Sequence, residues 1–468
     1  MPKFTPDKMG FGQPNTSSTG TSVPSNPGMV ASGGTINDYQ SPDGNFYRAH
    51  IFYGSGELTI TAAGNYGNNI EFLAVGGGGG GGANPDSGSG PRSGGGAGGL
   101  RTNAAPTYPR NLPATCLAYP GSGSYTLNVT VGRGGWYGQA GDAPGTTQRG
   151  MGCAGQDTKI YTPTNPNIVT ASGGGGGPGY PAPSGEGWGS PVANNIKGGS
   201  GAGGNYGSGA GVTLASPDGI SPTAQGYPGG GPSGPGGDGG GGAGGEGGDA
   251  EQTHSGGHGG SGVQVIIGGI PSWREGGGQG PGPTGLTNHW YAGGGGGGNG
   301  YPAGSGPAGE GYGGNKPAAS KSTNGGFANF YNYAGGADGA DAPNDAPEPA
   351  TVANQIGIMA QSAYPFSGGG GGGGTGAGSF DQPRYTSGGN GGPGICIMRY
   401  QIGAIGESPT APNGQSAKAT GGNISFYGGK VIHSFYNPGN FVTDAGFNET
   451  IEWVTVGGGG GGGGTMNG

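Results

Sequence analysis

The residues of this sequence that are able to hold a metal ion or move a proton are few. The densest group contains three carboxylates and two histidines: Glu246, Asp249, Glu251, His254 and His258. A spacing of four residues places two imidazoles on the same face only in an α-helix. The glycines around both histidines oppose a helix, because glycine is a poor helix former. We therefore predict no metal site here.

Two other short motifs are incomplete. Residues 335–341 resemble one calcium β-roll repeat without its following apolar residue, and a solvated turn is the better interpretation. Gly429-Lys430 lacks the upstream glycine spacing and the Ser or Thr of a phosphate-binding loop. Catalysis also needs side chains held rigidly by a supporting shell, and the sequence offers few such groups. We predict that the protein is not an enzyme and binds no cofactor.

Aromatic side chains are the remaining candidates for a binding site. Six of them lie in or beside glycine- and proline-rich segments: Trp136, Tyr137, Trp188, Trp273, Trp290 and Tyr291. Tyr and Trp are favoured at binding hot spots, and their flat faces suit sugar or protein surfaces. We consider them candidate contacts with a receptor protein or glycan; the other interpretation, which we favour, is that they pack over the ends of the glycine sheets. Trp453 lies on a predicted strand, and we predict that it belongs to the core.

The elements that must position these residues are dominated by glycine, which supplies 133 of 468 residues. Composition of this kind usually indicates disorder. Disordered chains, however, are generally rich in charge and poor in aromatics. Here only 9% of residues are charged, and 22 Tyr, 13 Phe and 5 Trp are spread along the chain. We therefore predict ordered glycine-rich structure.

Charge and hydropathy restrict the partners. The formal net charge is −8, whereas a phosphate-binding surface needs clustered Lys and Arg, so we predict no nucleic-acid partner. Three cysteines at no metal or redox spacing are too few to staple a chain of this length. No apolar run approaches the length that spans a membrane, and we predict no membrane insertion.

One apolar motif occurs twice. Residues 70–75 predict a half-buried strand that runs into the glycines 76–82, and residues 451–456 lead in the same way into 457–464. Upstream of each copy lies a strand–turn–strand pattern, in which Phe52 matches Phe435 and Gly56 matches Gly439. We predict one large module that begins again, rather than a solenoid of short repeats.

These signals divide the chain into four parts. Residues 1–44 are predicted to be a flexible N-terminal arm, and 45–400 a glycine-rich domain. This domain comprises a β hairpin at 46–75, a glycine-rich body at 76–394 and a closing strand at 395–400. Residues 401–429 are predicted to be a linker, and 430–468 the start of a second glycine-rich unit.

The fold class follows from how glycine backbones can pack. Collagen would keep one three-residue phase with proline between the glycines, and this chain changes phase repeatedly. Left-handed helices with three residues per turn make no internal hydrogen bonds, so their backbone groups must pair with neighbouring helices. We predict a mostly irregular and β fold with few or no α-helices. Its body would be a bundle of polyglycine II helices flanked by short antiparallel β hairpins.

Four stretches, 52–60, 75–82, 129–135 and 394–400, together resemble the glycine-rich domain of bacteriophage tail fibres and related virion appendages. The composition is also similar to that of the glycine-rich tip adhesins of long-tailed phages, which are built from polyglycine II helices with receptor-contacting loops. The resemblance implies a structural protein on the virion surface. It also implies self-association or binding to other virion proteins, and attachment to a glycan or protein of the host surface.

Three further expectations accompany this interpretation. A bacterial extracellular filament or cell-surface adhesin is the alternative structural role. A glycine-rich RNA-binding protein is disfavoured, because the chain is acidic and lacks Arg-Gly-Gly clusters. Since the second unit reaches Gly468 just past its glycine run, we also expect the natural polypeptide to continue beyond that residue.

Overall fold

The computed structural model describes twenty stretches of the chain. They are 28–41, 45–83, 92–104, 112–113, 116–138, 150–179, 196–204, 211–213, 224–231, 236–250, 256–268, 290–298, 336–337, 360–374, 387–403, 419–420, 423–427, 430–435, 440–443 and 446–457. These residues form β-strands and extended segments and contain no α-helix. The predicted mostly β character is confirmed.

Sixteen strands lie in the described residues. In chain order they are β1 Val30–Ser32, β2 Thr35–Gln40, β3 Phe46–Phe52, β4 Gly56–Ala62, β5 Glu71–Val75, β6 Leu100–Thr102, β7 Tyr125–Thr130, β8 Thr158–Thr162, β9 Asn165–Ala171, β10 Val263–Gln264, β11 Trp290–Tyr291, β12 Ile395–Gly403, β13 Ala419–Thr420, β14 Asn423–Tyr427, β15 Lys430–Ser434 and β16 Val442–Thr443.

Two five-stranded antiparallel sheets form the main β structure. Their strand orders are β1-β4-β7-β8-β9 and β2-β3-β12-β5-β6. Leu58 and Leu127 from the first sheet and Phe72 and Met398 from the second belong to one buried apolar cluster. The two sheets therefore face each other across a shared core.

Strand β12 is central to the second sheet and is buried on both faces. It pairs with β3 on one side and β5 on the other. Cys396 and Met398 lie in the cluster between the sheets, whereas Ile395 and Ile397 lie in a second buried cluster that includes Tyr291. Successive residues of a strand point to opposite faces, which explains this division. Strand β12 covers the predicted closing strand 395–400 and extends to Gly403.

The predicted hairpin at 46–75 is wrong in its pairing. Both of its first two strands, β3 and β4, are present, but they belong to different sheets and do not pair with each other. Phe52 at the end of β3 and Leu58 in β4 are both buried in the core between the sheets. The connecting residues 53–55 therefore carry the chain from one sheet to the other, and each strand pairs within its own sheet.

The predicted arm and linker also contain structure. Residues 30–40, placed in the arm, form β1 and β2, and Met29 is buried in the core between the sheets. Residues 1–27 lie outside the described part of the chain. Within the predicted linker 401–429, β12 continues and β13 and β14 form. Backbone pairing creates these short strands without the apolar run on which the sequence prediction depended.

The last four strands repeat the first four in the same register. Ile36 pairs with His50 in the β2–β3 ladder, and Ile424 pairs with His433 in the β14–β15 ladder. Ser32 pairs with Thr59, and Thr420 correspondingly pairs with Val442. The sequence carries the signal as Ala-Ser-Gly-Gly-Thr-Ile at 31–36 and Ala-Thr-Gly-Gly-Asn-Ile at 419–424. Gly33 and Gly34 adopt positive φ angles of 122° and 61°, which explains the glycine pair.

The prediction for Trp453 is wrong. Its side chain is 82% exposed, whereas the equivalent Phe72 in β5 is fully buried. Residues 451–457 form no strand, and in the first unit it is pairing with β12 and β6 that covers β5. The described part of the second unit contains no counterpart of these partner strands.

A buried histidine links β3, β12 and the glycine turn. His50 Nδ1 lies 2.7 Å from Gly33 O, and Nε2 lies 3.2 Å from Tyr400 Oη. Because a carbonyl oxygen only accepts, Nδ1 carries the proton and Nε2 accepts from the tyrosine hydroxyl. Burial lowers the pKa of His50 from 6.5 to about 4.

Acid should therefore destabilise the fold through His50. The unfolded chain takes up a proton near pH 6.5, but the folded chain does so only near pH 4. The free energy of unfolding should fall as pH falls between these values, by at most about 1.4 kcal/mol per pH unit for this residue. Denaturant unfolding of wild type and His50→Gln across pH 4–7 measures the slope. An equal slope in the two proteins would contradict this assignment.

Candidate functional site

The described segments of the glycine-rich body form a backbone hydrogen-bond array with a period of three residues. In the segment 76–83, Gly76, Gly79 and Gly82 donate to the carbonyls of 99, 96 and 93. Residues 77, 80 and 83 donate to the carbonyls of 156, 153 and 150, and residues 78 and 81 to those of 392 and 389. Three antiparallel neighbours thus accept from successive residues of one segment, over N···O distances of 2.6–3.1 Å.

The carbonyls of the same segment bind three further neighbours. The carbonyls of 78 and 81 accept from 135 and 138, those of 77 and 80 from 174 and 177, and those of 79 and 82 from 371 and 374. These three neighbours run parallel to the segment. Segment 76–83 therefore has six hydrogen-bonded neighbours, which accounts for its buried backbone groups as folded proteins require.

Close approach of these backbones explains why every residue of 76–82 is glycine. A β-carbon at Gly79 would overlap Gly175 O, one at Gly80 would overlap Trp136 O, and one at Gly81 would overlap Gly372 O. All three phases of the repeat thus face a neighbouring carbonyl. Overlap with a fixed backbone cannot be relieved by a side-chain rotation, so glycine is required at each phase.

Strands lead directly into the glycine segments. Strand β5 ends at Val75 and segment 76–83 follows, β9 is followed by 172–178, and segment 387–394 leads into β12. Since each sheet register is set by its apolar residues, the sheets also set which glycine of one segment lies beside which glycine of the next.

Two segments at the edge of the array expose side chains with the same period. Arg133 and Trp136 on one segment and Cys153 and Gln156 on the next are exposed. Cys153 N donates to Trp136 O over 2.8 Å, and Gln156 N donates to Arg133 O over 2.9 Å. We call these four residues the outer ladder. Their exposed side chains project from a backbone that hydrogen bonds hold in place.

Trp136 is the most exposed of the predicted contact residues in the described chain. Its side chain is 73% exposed. Neighbouring Tyr137 is half-buried, and its backbone N–H donates to Asn390 Oδ1 over 3.0 Å. The structure thus brings these two predicted residues together at the outer ladder, which supplies Arg133, Cys153 and Gln156 as additional neighbours. Arg133 and Trp136 are three residues apart in the sequence, as are Cys153 and Gln156, and this spacing could have identified them as neighbours on one exposed face.

The other predicted contact residues lie elsewhere. Trp290 is half-buried and pairs with Gln264, and Tyr291 is only 3% exposed within the second apolar cluster. Tyr291 is therefore a core residue and is removed from the contact set, because β11 places it on the face that the cluster covers. Trp188 and Trp273 lie outside the described residues.

One carboxyl group is buried within the glycine array. Asp238 is fully buried, and its Oδ1 accepts from Ala250 N over 2.7 Å. Burial raises the pKa of this carboxyl to about 7, and the charge of Asp249 adds to the increase. Oδ2 has no hydrogen-bond partner among the described residues. No surface of Asp238 is open to a substrate, so we interpret it as structural.

The described residues contain no cluster of three or more His, Cys, Asp or Glu side chains arranged to hold a metal ion. Of the two histidines considered as metal ligands, His258 lies in the array, where its carbonyl accepts from Gly248 N, and His254 lies outside the described residues.

A search of the described part of the chain for a helix long and apolar enough to cross a membrane finds none.

Comparisons of the chain with protein-family models and with curated protein sequences give no match.

Replacing one glycine of the central segment should destabilise the protein far more than replacing a solvent-exposed one. Gly79→Ala places a methyl group on Gly175 O, and we expect it to lower the free energy of unfolding by about 3 kcal/mol or more. Gly54→Ala is the matched control, because Gly54 is exposed, no atom lies within 4 Å of its β-carbon position, and its φ is not positive.

Thermal and denaturant unfolding of both variants measure the difference. Similar losses in the two proteins would show that the central segment is not packed as described.

Proposed function

We propose that this protein is a structural, non-enzymatic component of a phage particle, a tail fibre or another virion appendage. In this proposal a bundle of polyglycine II helices forms a stiff scaffold, and the outer ladder around Trp136 contacts the surface of the host. The scaffold would associate with itself or with other virion proteins. The observation that carries the proposal is the three-residue hydrogen-bond array with an exposed tryptophan at its edge.

The hydrogen bonds support the polyglycine II assignment. A left-handed helix with three residues per turn directs the backbone groups of successive residues in three directions and bonds none of them internally. Segment 76–83 donates to three neighbours in rotation and accepts from three others. Segment 237–243 repeats the pattern, since residues 237, 240 and 243 donate to the carbonyls of 298, 295 and 292.

Such a scaffold suits an exposed appendage. Its rigidity comes from lateral backbone hydrogen bonds, so it does not need an apolar core in proportion to its length. Few charges are present, and the backbone at the exposed Trp136 is held by a hydrogen bond from Cys153 N to Trp136 O. A backbone that is already fixed loses little conformational entropy on binding.

Fractionation of the source culture tests the proposed location. Intact virions and free filaments are purified, and peptides of this chain are quantified in each by mass spectrometry. We expect the peptides in intact virions at the stoichiometry of a structural protein. Their recovery only from filaments or cell envelopes would contradict the proposal and favour a bacterial surface fibre.

A matched pair of tryptophan variants tests the proposed contact. Trp136→Ala should weaken binding of the purified protein to source cells by at least about 30-fold, as expected for loss of a hot-spot tryptophan. Trp453→Ala removes another highly exposed tryptophan, distant in sequence, and should leave binding unchanged. Flow cytometry with labelled protein measures both. Unaltered binding by Trp136→Ala would exclude the outer ladder as the contact.

A further inference from the structure

The outer ladder continues the β7–β8 ladder without a change of register. Thr130 pairs with Lys159 where the two strands meet the glycine array. Three residues away from this pair along both segments lie Arg133 and Gln156, joined by a backbone hydrogen bond, and the rung of Trp136 follows after three more. Because a sheet register is set by its apolar residues, these rungs are fixed relative to each other. In the proposed polyglycine II geometry, successive rungs lie about 9 Å apart.

The side chains that these two segments expose are suited to a sugar. In segments 132–138 and 150–156 the exposed residues are the four of the outer ladder, and none of them is aliphatic. Trp136 offers a flat apolar face and an N–H donor. Gln156 offers both donors and an acceptor, and the Arg133 guanidinium offers five N–H donors.

A protein ligand fits this surface less well than a glycan does. A protein interface buries about 800 Å² on each partner around an apolar centre. The outer ladder instead presents one aromatic ring, that of Trp136, beside hydrogen-bonding groups. A sugar has a ring of similar width, with an apolar C–H face and hydroxyl groups at its edge.

Arg133 adds an exposed positive charge to this surface. Asp157, the acidic residue nearest to the ladder in sequence, binds Lys159 over 3.3 Å and accepts from Gly173 N over 3.0 Å. Among the described residues, the Arg133 guanidinium has no ion-pair or hydrogen-bond partner. An arginine fork binds a carboxylate through two parallel hydrogen bonds, so this cation selects an acidic ligand.

We propose that the outer ladder binds an acidic glycan chain. One sugar ring lies on the indole face of Trp136, and a carboxylate further along the glycan lies on the Arg133 guanidinium. Gln156, which shares a rung with Arg133, hydrogen-bonds sugar hydroxyl groups. This inference rests on the contact role proposed above for the outer ladder, and it adds the chemical class of the ligand.

Oligosaccharides with and without carboxylates test the inference on the complete chain. The probes are hexasaccharides of galacturonic, glucuronic and sialic acid, and the matched neutral ligands are their carboxyl-reduced forms. Isothermal titration calorimetry at low ionic strength should show saturable binding of at least one acidic probe. Its carboxyl-reduced form should bind at least about tenfold more weakly, as expected for loss of a charge-assisted hydrogen-bonded pair.

Three variants assign the binding to the ladder. Arg133→Gln should weaken binding of the acidic probe at least about tenfold and leave binding of the neutral form unchanged, because only the charged contact is lost. Trp136→Ala should weaken binding of both forms. Lys430→Gln is the matched control, since it removes an exposed cation outside the ladder, and it should bind as the wild type does. The unfolding temperatures of the variants control for misfolding.

Three results would overturn the inference. The first is no saturable binding of any acidic probe, and the second is equal binding of the acidic and carboxyl-reduced forms. The third is equal binding of a single-stranded oligonucleotide, which would indicate attraction to any polyanion.

Failure of this inference is distinguishable from failure of the proposed function. If no glycan binds but Trp136→Ala still abolishes binding to cells, the ladder contacts a protein receptor and only the ligand class is wrong. If an acidic glycan binds the ladder but Trp136→Ala leaves binding to cells unaltered, the ligand class stands and the proposed host contact is wrong.

Discussion

The structure depends on the direct packing of polypeptide backbones without side chains between them. In segment 76–83 each residue donates to a different neighbour from the one before it, and all three phases of the repeat lie against a carbonyl oxygen. Burial of so many peptide groups is tolerable only because they are hydrogen-bonded. Glycine is thus required by close approach here, although elsewhere it is used for flexibility.

The sheets solve a problem that glycine segments cannot solve alone. A run of identical residues has no register, because a shift by three leaves every hydrogen bond in place. Strands such as β5 and β12 carry apolar residues whose alternate faces enter two distinct cores, and a shift of one residue would reverse those faces. Joining each glycine segment to a strand therefore fixes the array.

The sequence predicted the parts of the fold that leave a local pattern. The apolar residues of 70–75 and 395–400 correctly indicated β5 and β12. Strands β1, β2, β13 and β14 were missed because pairing, rather than an apolar run, creates them. Trp136 and Tyr291 have similar glycine-rich surroundings in sequence, and only the fold distinguishes the exposed residue from the buried one. The three-residue spacing of Arg133 and Trp136 is visible in the sequence, but it indicates a shared exposed face only once the neighbouring segments of the array are known.

Amide hydrogen exchange across residues 76–83 tests the central claim most directly. These residues belong to neither a helix nor a strand, yet every one of their N–H groups donates to another segment. We predict that their amides are protected to the same degree as those of β5, the strand that precedes them, because both can exchange only when the array opens. Exchange of 76–83 at the rate of an unstructured glycine peptide, with β5 still protected, would contradict the account.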